Sequence, residues 1–151
     1  MEQVLSLKYE HFDSLESLPA EDRKLLGKAQ QASQRAHAPY SSFHVGAAAR
    51  LSSGKILSAA NCESEVFPSG MCAERSLLYH YRTNYANTPI EAIAIASDPA
   101  TGECYPCGAC RQVLLDAERA QQRPIRLIMA GPDSASVVAS VEELLPFTFK
   151  L

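Results

Sequence analysis

Ile90-Glu91-Ala92-Ile93-Ala94-Ile95-Ala96-Ser97 and Ile125-Arg126-Leu127-Ile128-Met129-Ala130 are nearly unbroken apolar runs, separated by an amphipathic stretch from Cys107 to about Ala120. Runs this short and this apolar read as strands buried on both faces, and such strands occur where helices cover a sheet from both sides. Working outward, Phe43, Val45, Ala47, Ala49 and Leu51 alternate with other residues, as in a half-buried strand. Ser52-Ser53-Gly54-Lys55 reads as a turn and Ile56 to Ala60 as the returning strand of a hairpin. Leu77, Leu78, Tyr81 and Tyr85 form a helical stripe after Cys72. Pro19-Ala20-Glu21-Asp22 opens an earlier helix, with acids at the positive dipole end, and Leu25, Leu26, Ala29, Ala32 and Ala36 carry it to about His37. Val4 to Tyr9 reads as a weak edge strand or an irregular arm, and Val137 to Val141 as a last short strand before a helical turn at Glu142 to Leu145. The order of helix, hairpin, helix, strand, helix, strand is that of an α/β sandwich with a mixed or parallel sheet.

The chain has 151 residues, 46% hydrophobic and 21% charged, which fits one domain around one core. With 14 basic and 17 acidic residues it carries a net charge of −3 and has no block of Lys or Arg. Polynucleotide binders draw most of their affinity from phosphate contacts on a basic surface, so the sequence favours a small substrate over a strand. No apolar run approaches the ~20 residues that cross a bilayer. Met1 to Tyr9 lack the basic-then-apolar pattern of a secretory signal, so a cytoplasmic location is expected.

Five cysteines stand at positions 62, 72, 104, 107 and 110. An odd number without an export signal argues against a disulfide framework and for metal binding, catalysis or simple burial. Met71-Cys72-Ala73-Glu74-Arg75 and Pro106-Cys107-Gly108-Ala109-Cys110-Arg111-Gln112 each put a cysteine at the start of a helix, where free N–H groups stabilise a thiolate. Cys107 and Cys110 share one face of a turn, and with Cys72 they make three ligands for a tetrahedral zinc ion that keeps one position for water, as in catalytic sites. Arg75 has five donors to offset the thiolate charge. Glu74 is placed to act as general acid and base for that water, the arrangement of zinc deaminases. Cys107 and Cys110 alone would equally fit a redox pair or a structural knuckle, and a structural site would take its fourth ligand from Cys62 or Cys104. Both of these otherwise read as half-buried thiols.

Four ordered motifs carry a resemblance: Ala38-Pro39-Tyr40-Ser41-Ser42-Phe43-His44-Val45-Gly46-Ala47-Ala48, Asn61-Cys62-Glu63, Cys72-Ala73-Glu74, and Pro106 to Gln112. The chain resembles the small, homotetrameric type of zinc-dependent cytidine deaminase. The resemblance implies a three-layer α-β-α sandwich with a mixed five-stranded sheet, a single deaminase domain over residues 1–151 with an N-terminal arm at 1–19, and one Zn2+ per chain. It implies hydrolysis of free cytidine or deoxycytidine in pyrimidine salvage, with no nucleic-acid or membrane partner and with active sites shared in a homotetramer. Asn61 and Glu63 would hydrogen-bond the ribose and Phe43 would pack beside the nucleoside. The Ala73 backbone and Glu74 would read the base, and Phe149, in Leu145-Pro146-Phe147-Thr148-Phe149, would cover it, often from a neighbouring subunit. Ser64-Glu65, Phe67-Pro68 and Tyr105 depart from the family pattern. The alternatives are a deaminase of a modified cytosine nucleoside, of a nucleotide or of a strand, a non-catalytic zinc-binding module, and a thiol oxidoreductase.

Overall fold

A computed structural model describes residues 1–151. The strands are β1 (Glu10–Phe12), β2 (His44–Leu51), β3 (Ile56–Ala60), β4 (Ile90–Asp98), β5 (Arg126–Ala130) and β6 (Ala135–Val138), and the helices are α1 (Ala20–Ser33), α2 (Ala73–Asn84) and α3 (Gly108–Gln121). They form one sheet in the order β1-β6-β5-β4-β2-β3. The two apolar runs pair in parallel, Ile93 opposite Leu127 and Ile95 opposite Met129, with α3 as their crossover. Every other neighbouring pair is antiparallel, so the sheet is mixed, as expected. It has six strands and not five. The additional one, β1, is three residues long, too short for an alternation signal, and is held by pairing Glu10 to Phe12 against β6 with Phe12 partly buried.

The alternation of side chains along β2 and β4 sorts the layers. Val45, Ala47, Ala49, Ile93 and Ile95 face α2 and α3, packing with Leu77, Leu78, Tyr81, Leu114 and Leu115. Ala48, Ala92, Ala94 and Ala96 face α1, packing with Leu25, Leu26 and Ala29. The three-layer α-β-α sandwich therefore has one large-residue face and one small-residue face. On the small-residue face α1 lies so close to β2 that a Cβ at Gly46 would overlap the Ala29 carbonyl oxygen and meet the Ser33 nitrogen at 2.5 Å. Both are backbone atoms and cannot rotate away. Gly46→Ala should destabilise the fold by about 3 kcal/mol, read from chemical denaturation. Gly27→Ala, on α1 itself but with no atom within 4 Å, should be neutral or stabilising.

α1 ends at Ser33, four residues short of the expected boundary. The His37 N–H donates to the Asn61 carbonyl at 3.0 Å and the Glu63 N–H to the His37 carbonyl at 2.8 Å. That bridge to a distant segment pulls the chain out of the helical path. Residues 1–9 form no helix or strand and are exposed; one anchor is the Lys8 N–H donating to Glu143 Oε2 at 3.0 Å.

Candidate active site

Cys72 is the residue immediately before α2, and Cys107 holds the same position before α3. Both have extended backbone (φ −68°, ψ 154° and φ −66°, ψ 167°), while their carbonyls accept the first helical bonds from Ser76 and Arg111. Cys110 follows three residues into α3 and is fully buried. The two helix starts meet on the same face of the sheet, and there the sulfurs of Cys72, Cys107 and Cys110 lie within 4.8 Å of one another. Cys107 and Cys110 Sγ are 3.5 Å apart. A tetrahedral zinc with Zn–S bonds of about 2.3 Å needs sulfurs about 3.8 Å apart, so these three thiols fit the ion with little rearrangement.

The charges are organised around this group. Arg75 Nη2 donates to Cys72 Sγ at 3.5 Å, and its Nε is buried with no hydrogen-bond partner. The Cys110 thiol and the Arg75 guanidinium outweigh burial and pull Cys72 down to about 5. Cys110, which gives its proton towards Cys72 and is itself desolvated, is pushed up. Glu74 sits on the first turn of α2 with 4% of its surface exposed. Burial lifts its carboxyl above the usual range, its own backbone N–H opposes the shift, and the Cys72 charge adds to it. A carboxyl whose charged form is disfavoured by burial gives up its proton less readily, which suits a group that must both take and give a proton.

Cys104 is not a member of the thiol group. It is half-buried, and desolvation with the nearby Glu74 charge pushes it up to about 11, so it stays a thiol. Three ligands without a fourth is the signature of an open site.

Beside the group opens a cleft of ≈ 710 Å³, whose lining includes Asn61, Cys62, Glu63, Cys72 and Arg75. Asn61 is engaged on both sides: its Oδ1 accepts from the Val45 N–H at 2.7 Å and its Nδ2 donates to the Phe43 carbonyl at 2.9 Å. Glu63 Oε1 accepts from the N–H groups of Tyr40 and Ser41 at 3.0 and 3.1 Å. A hydrogen bond with Ser41, together with those N–H groups and the nearby His37, holds the Glu63 carboxyl below its ordinary value. Cys62 is exposed and not half-buried, because its backbone bridges His37 and Met71 at the cleft. Phe43 is exposed and lies outside the cleft lining, as does Phe149, which is 74% exposed. Ala73 is fully buried.

Residues 19–122 match the family model described as the cytidine and deoxycytidylate deaminase zinc-binding region. The chain belongs to this deaminase family. Among curated relatives, a cytidine deaminase of Halalkalibacterium halodurans is 36% identical over 85% of this chain and 94% of its own length. A probable cytidine deaminase of Dictyostelium discoideum is 33% identical over 83% of this chain and 82% of its own. The crystal structure of a cytidine deaminase from Burkholderia pseudomallei superposes with a TM-score of 0.73 at 31% identity, covering 87% of this chain and all of that one. Zinc is therefore the metal of this deaminase family member, in agreement with the thiol geometry.

Arg111 was not singled out by the sequence, although it stands inside a quoted motif. Its Nε donates to the Pro106 carbonyl at 2.9 Å and its Nη1 to the Leu144 carbonyl at 3.2 Å. Its place directly after Cys110 was the available signal, since a long donor there can fold back over the first turn of α3.

Proposed function

We propose that this deaminase converts free cytidine or deoxycytidine, with water, to uridine or deoxyuridine and ammonia. The observation that carries the reading is the buried Glu74, its carboxyl raised above the usual range, beside three thiols that fit zinc, of which Cys72 lines the cleft. Zinc held by Cys72, Cys107 and Cys110 supplies the Lewis acidity that makes water a nucleophile near neutral pH. Glu74 takes a proton from the attacking water and delivers it to ring nitrogen 3. After carbon 4 has gained its hydroxyl, Glu74 carries the hydroxyl proton to the amine, which leaves as ammonia. Arg75 and the two helix starts offset the thiolate charge.

Asn61 and Glu63 meet the sugar, each already fixed by backbone bonds and so presented in one orientation. The Ala73 backbone and Glu74 read the base edge, and Phe43 packs beside the nucleoside. Phe149, exposed and away from this chain's own cleft, covers the base of a neighbouring copy in a homotetramer, a role supported by the further exposure of Phe67 and Phe147. Residues 1–151 act as one deaminase domain with residues 1–19 as its arm, in cytoplasmic pyrimidine salvage; no helix of the chain is long and apolar enough to cross a membrane. An unphosphorylated substrate is favoured because Glu63 and Glu65 line the cleft and its one cation, Arg75, is committed to Cys72.

The test is ammonia release from cytidine, deoxycytidine, their monophosphates and a short cytosine oligonucleotide, run with a zinc measurement. The two nucleosides should react, with one zinc per chain. Turnover of the oligonucleotide or the monophosphates alone would overturn the substrate assignment, and a zinc-loaded protein inert to all of them would be a binding module.

A further inference from the structure

Glu103 lies outside the cleft lining, on the loop between β4 and α3 that delivers Cys107. Its side chain is only 8% exposed, and no arginine or lysine pairs with it. Its oxygens are nevertheless fully used. Oε1 accepts from the Ser134 hydroxyl at 2.7 Å and faces His11 Nδ1 at 3.6 Å; Oε2 accepts from the Tyr105 hydroxyl at 2.9 Å. Ser134 belongs to the turn between β5 and β6, His11 to β1, and Tyr105 stands two residues before Cys107. Burial pushes the Glu103 carboxyl up, but hydrogen bonds from Ser136, Ser134 and Tyr105 and the nearby His11 outweigh it and hold the carboxyl below its ordinary value. The bonds made to the ionised form are therefore the stronger influence.

Two independent contacts show that this loop rests on the β5–β6 turn without clearance. The Cys104 N–H donates to the Ala130 carbonyl at 3.0 Å. At Gly131 a Cβ would meet the Glu103 nitrogen and the Gly102 carbonyl carbon, each at 3.0 Å. On the far side of Cys107, Arg111 holds the Pro106 carbonyl. Cys107 is thus suspended between two clamps, of which only the second comes from its own helix.

We propose that Glu103 is a positioning residue for the metal centre, fixing through Tyr105 and Ser134 the loop that sets Cys107 against Cys72 and Cys110. Zinc–ligand distances in a formed site fall within about 0.2 Å of their usual values, so a loop free to shift on the β5–β6 turn must be ordered on binding and loses affinity although every ligand is present. The inference rests on the zinc-deaminase reading above.

The test uses the holoprotein and its Glu103→Ala, Glu103→Gln and Tyr105→Phe variants. The readouts are zinc affinity by chelator competition and the visible spectrum of the cobalt(II)-substituted protein. Glu103→Ala should weaken zinc binding about tenfold or more and alter the cobalt spectrum. Glu103→Gln keeps the shape and one acceptor and should recover most of the loss. Tyr105→Phe removes one hydroxyl from the same carboxylate and should weaken binding about two- to fivefold. Unchanged zinc affinity and cobalt spectrum in Glu103→Ala and Tyr105→Phe would overturn the proposal, even with a lowered Tm, because Glu103 would then serve only the fold. If Glu103→Ala does not fold, Tyr105→Phe decides alone. A wild-type protein that binds no zinc overturns the functional reading and this inference with it, whereas an active, zinc-loaded wild type with unaffected variants overturns only the inference.

Discussion

Glu74→Gln should reduce ammonia release from cytidine by about 10³- to 10⁴-fold while zinc stays at the wild-type level. Glutamine fills the same buried volume and keeps one oxygen acceptor, but it cannot take a proton and pass it on. Glu74 is not one of the three grouped thiols, so nothing in the metal's own coordination is removed. The fold should tolerate the change, because burial already disfavours the charged form of this carboxyl and the substitution leaves a neutral group in its place. Zinc content by elemental analysis and kcat for cytidine, measured on the same preparation, check both halves. Activity within tenfold of wild type would remove Glu74 from the proton path. Loss of zinc together with activity would make it a metal ligand and not an acid–base group.

Cys110→Ser should abolish stoichiometric zinc and with it all turnover. Cys110 is the fully buried member of the group, 3.5 Å from Cys107 and within 4.8 Å of Cys72. Serine keeps the volume but offers a hydroxyl that stays protonated where a thiol would give up its proton to the metal. Cys104→Ala should instead retain one zinc per chain, because Cys104 lies outside the group and is held as a thiol. Metal measurements on the two variants separate an open three-ligand site from a closed four-ligand one. Wild-type protein should also lose thermal stability on chelation, since an ion that binds only the folded state stabilises it by mass action, and Cys110→Ser should show no such drop.

The parts of the site legible in the sequence are those fixed over a few residues. Cys72 and Cys107 begin helices because Ala73-Glu74-Arg75 and Gly108-Ala109-Cys110 enter helical geometry directly after them, and the three-residue spacing of Cys107 and Cys110 places both sulfurs on one turn. The long apolar runs at Ile90 and Ile125 were legible as buried strands for the same local reason. What escaped depends on partners far along the chain. α1 stops at Ser33 because His37 pairs with the Asn61–Glu63 segment. β1 exists because β6 offers it an edge, and no periodicity in three residues announces that. Asn61 and Glu63 were visible as a pair, but the structure commits the Asn61 amide to Val45 and Phe43 and one Glu63 oxygen to Tyr40 and Ser41.

The cysteine trio, the glutamate beside it and the α/β layering were determined by the sequence alone, because helix starts and side-chain alternation are properties of neighbouring residues. Only the tertiary structure decided that α2 and α3 bring Cys72 within reach of Cys107 and Cys110, that Cys104 is left out, and that Glu103 anchors the intervening loop. Those distances are set by how closely helices and turns pack across the sheet. Packing of that kind belongs to residues tens of positions apart, so no local pattern specifies it.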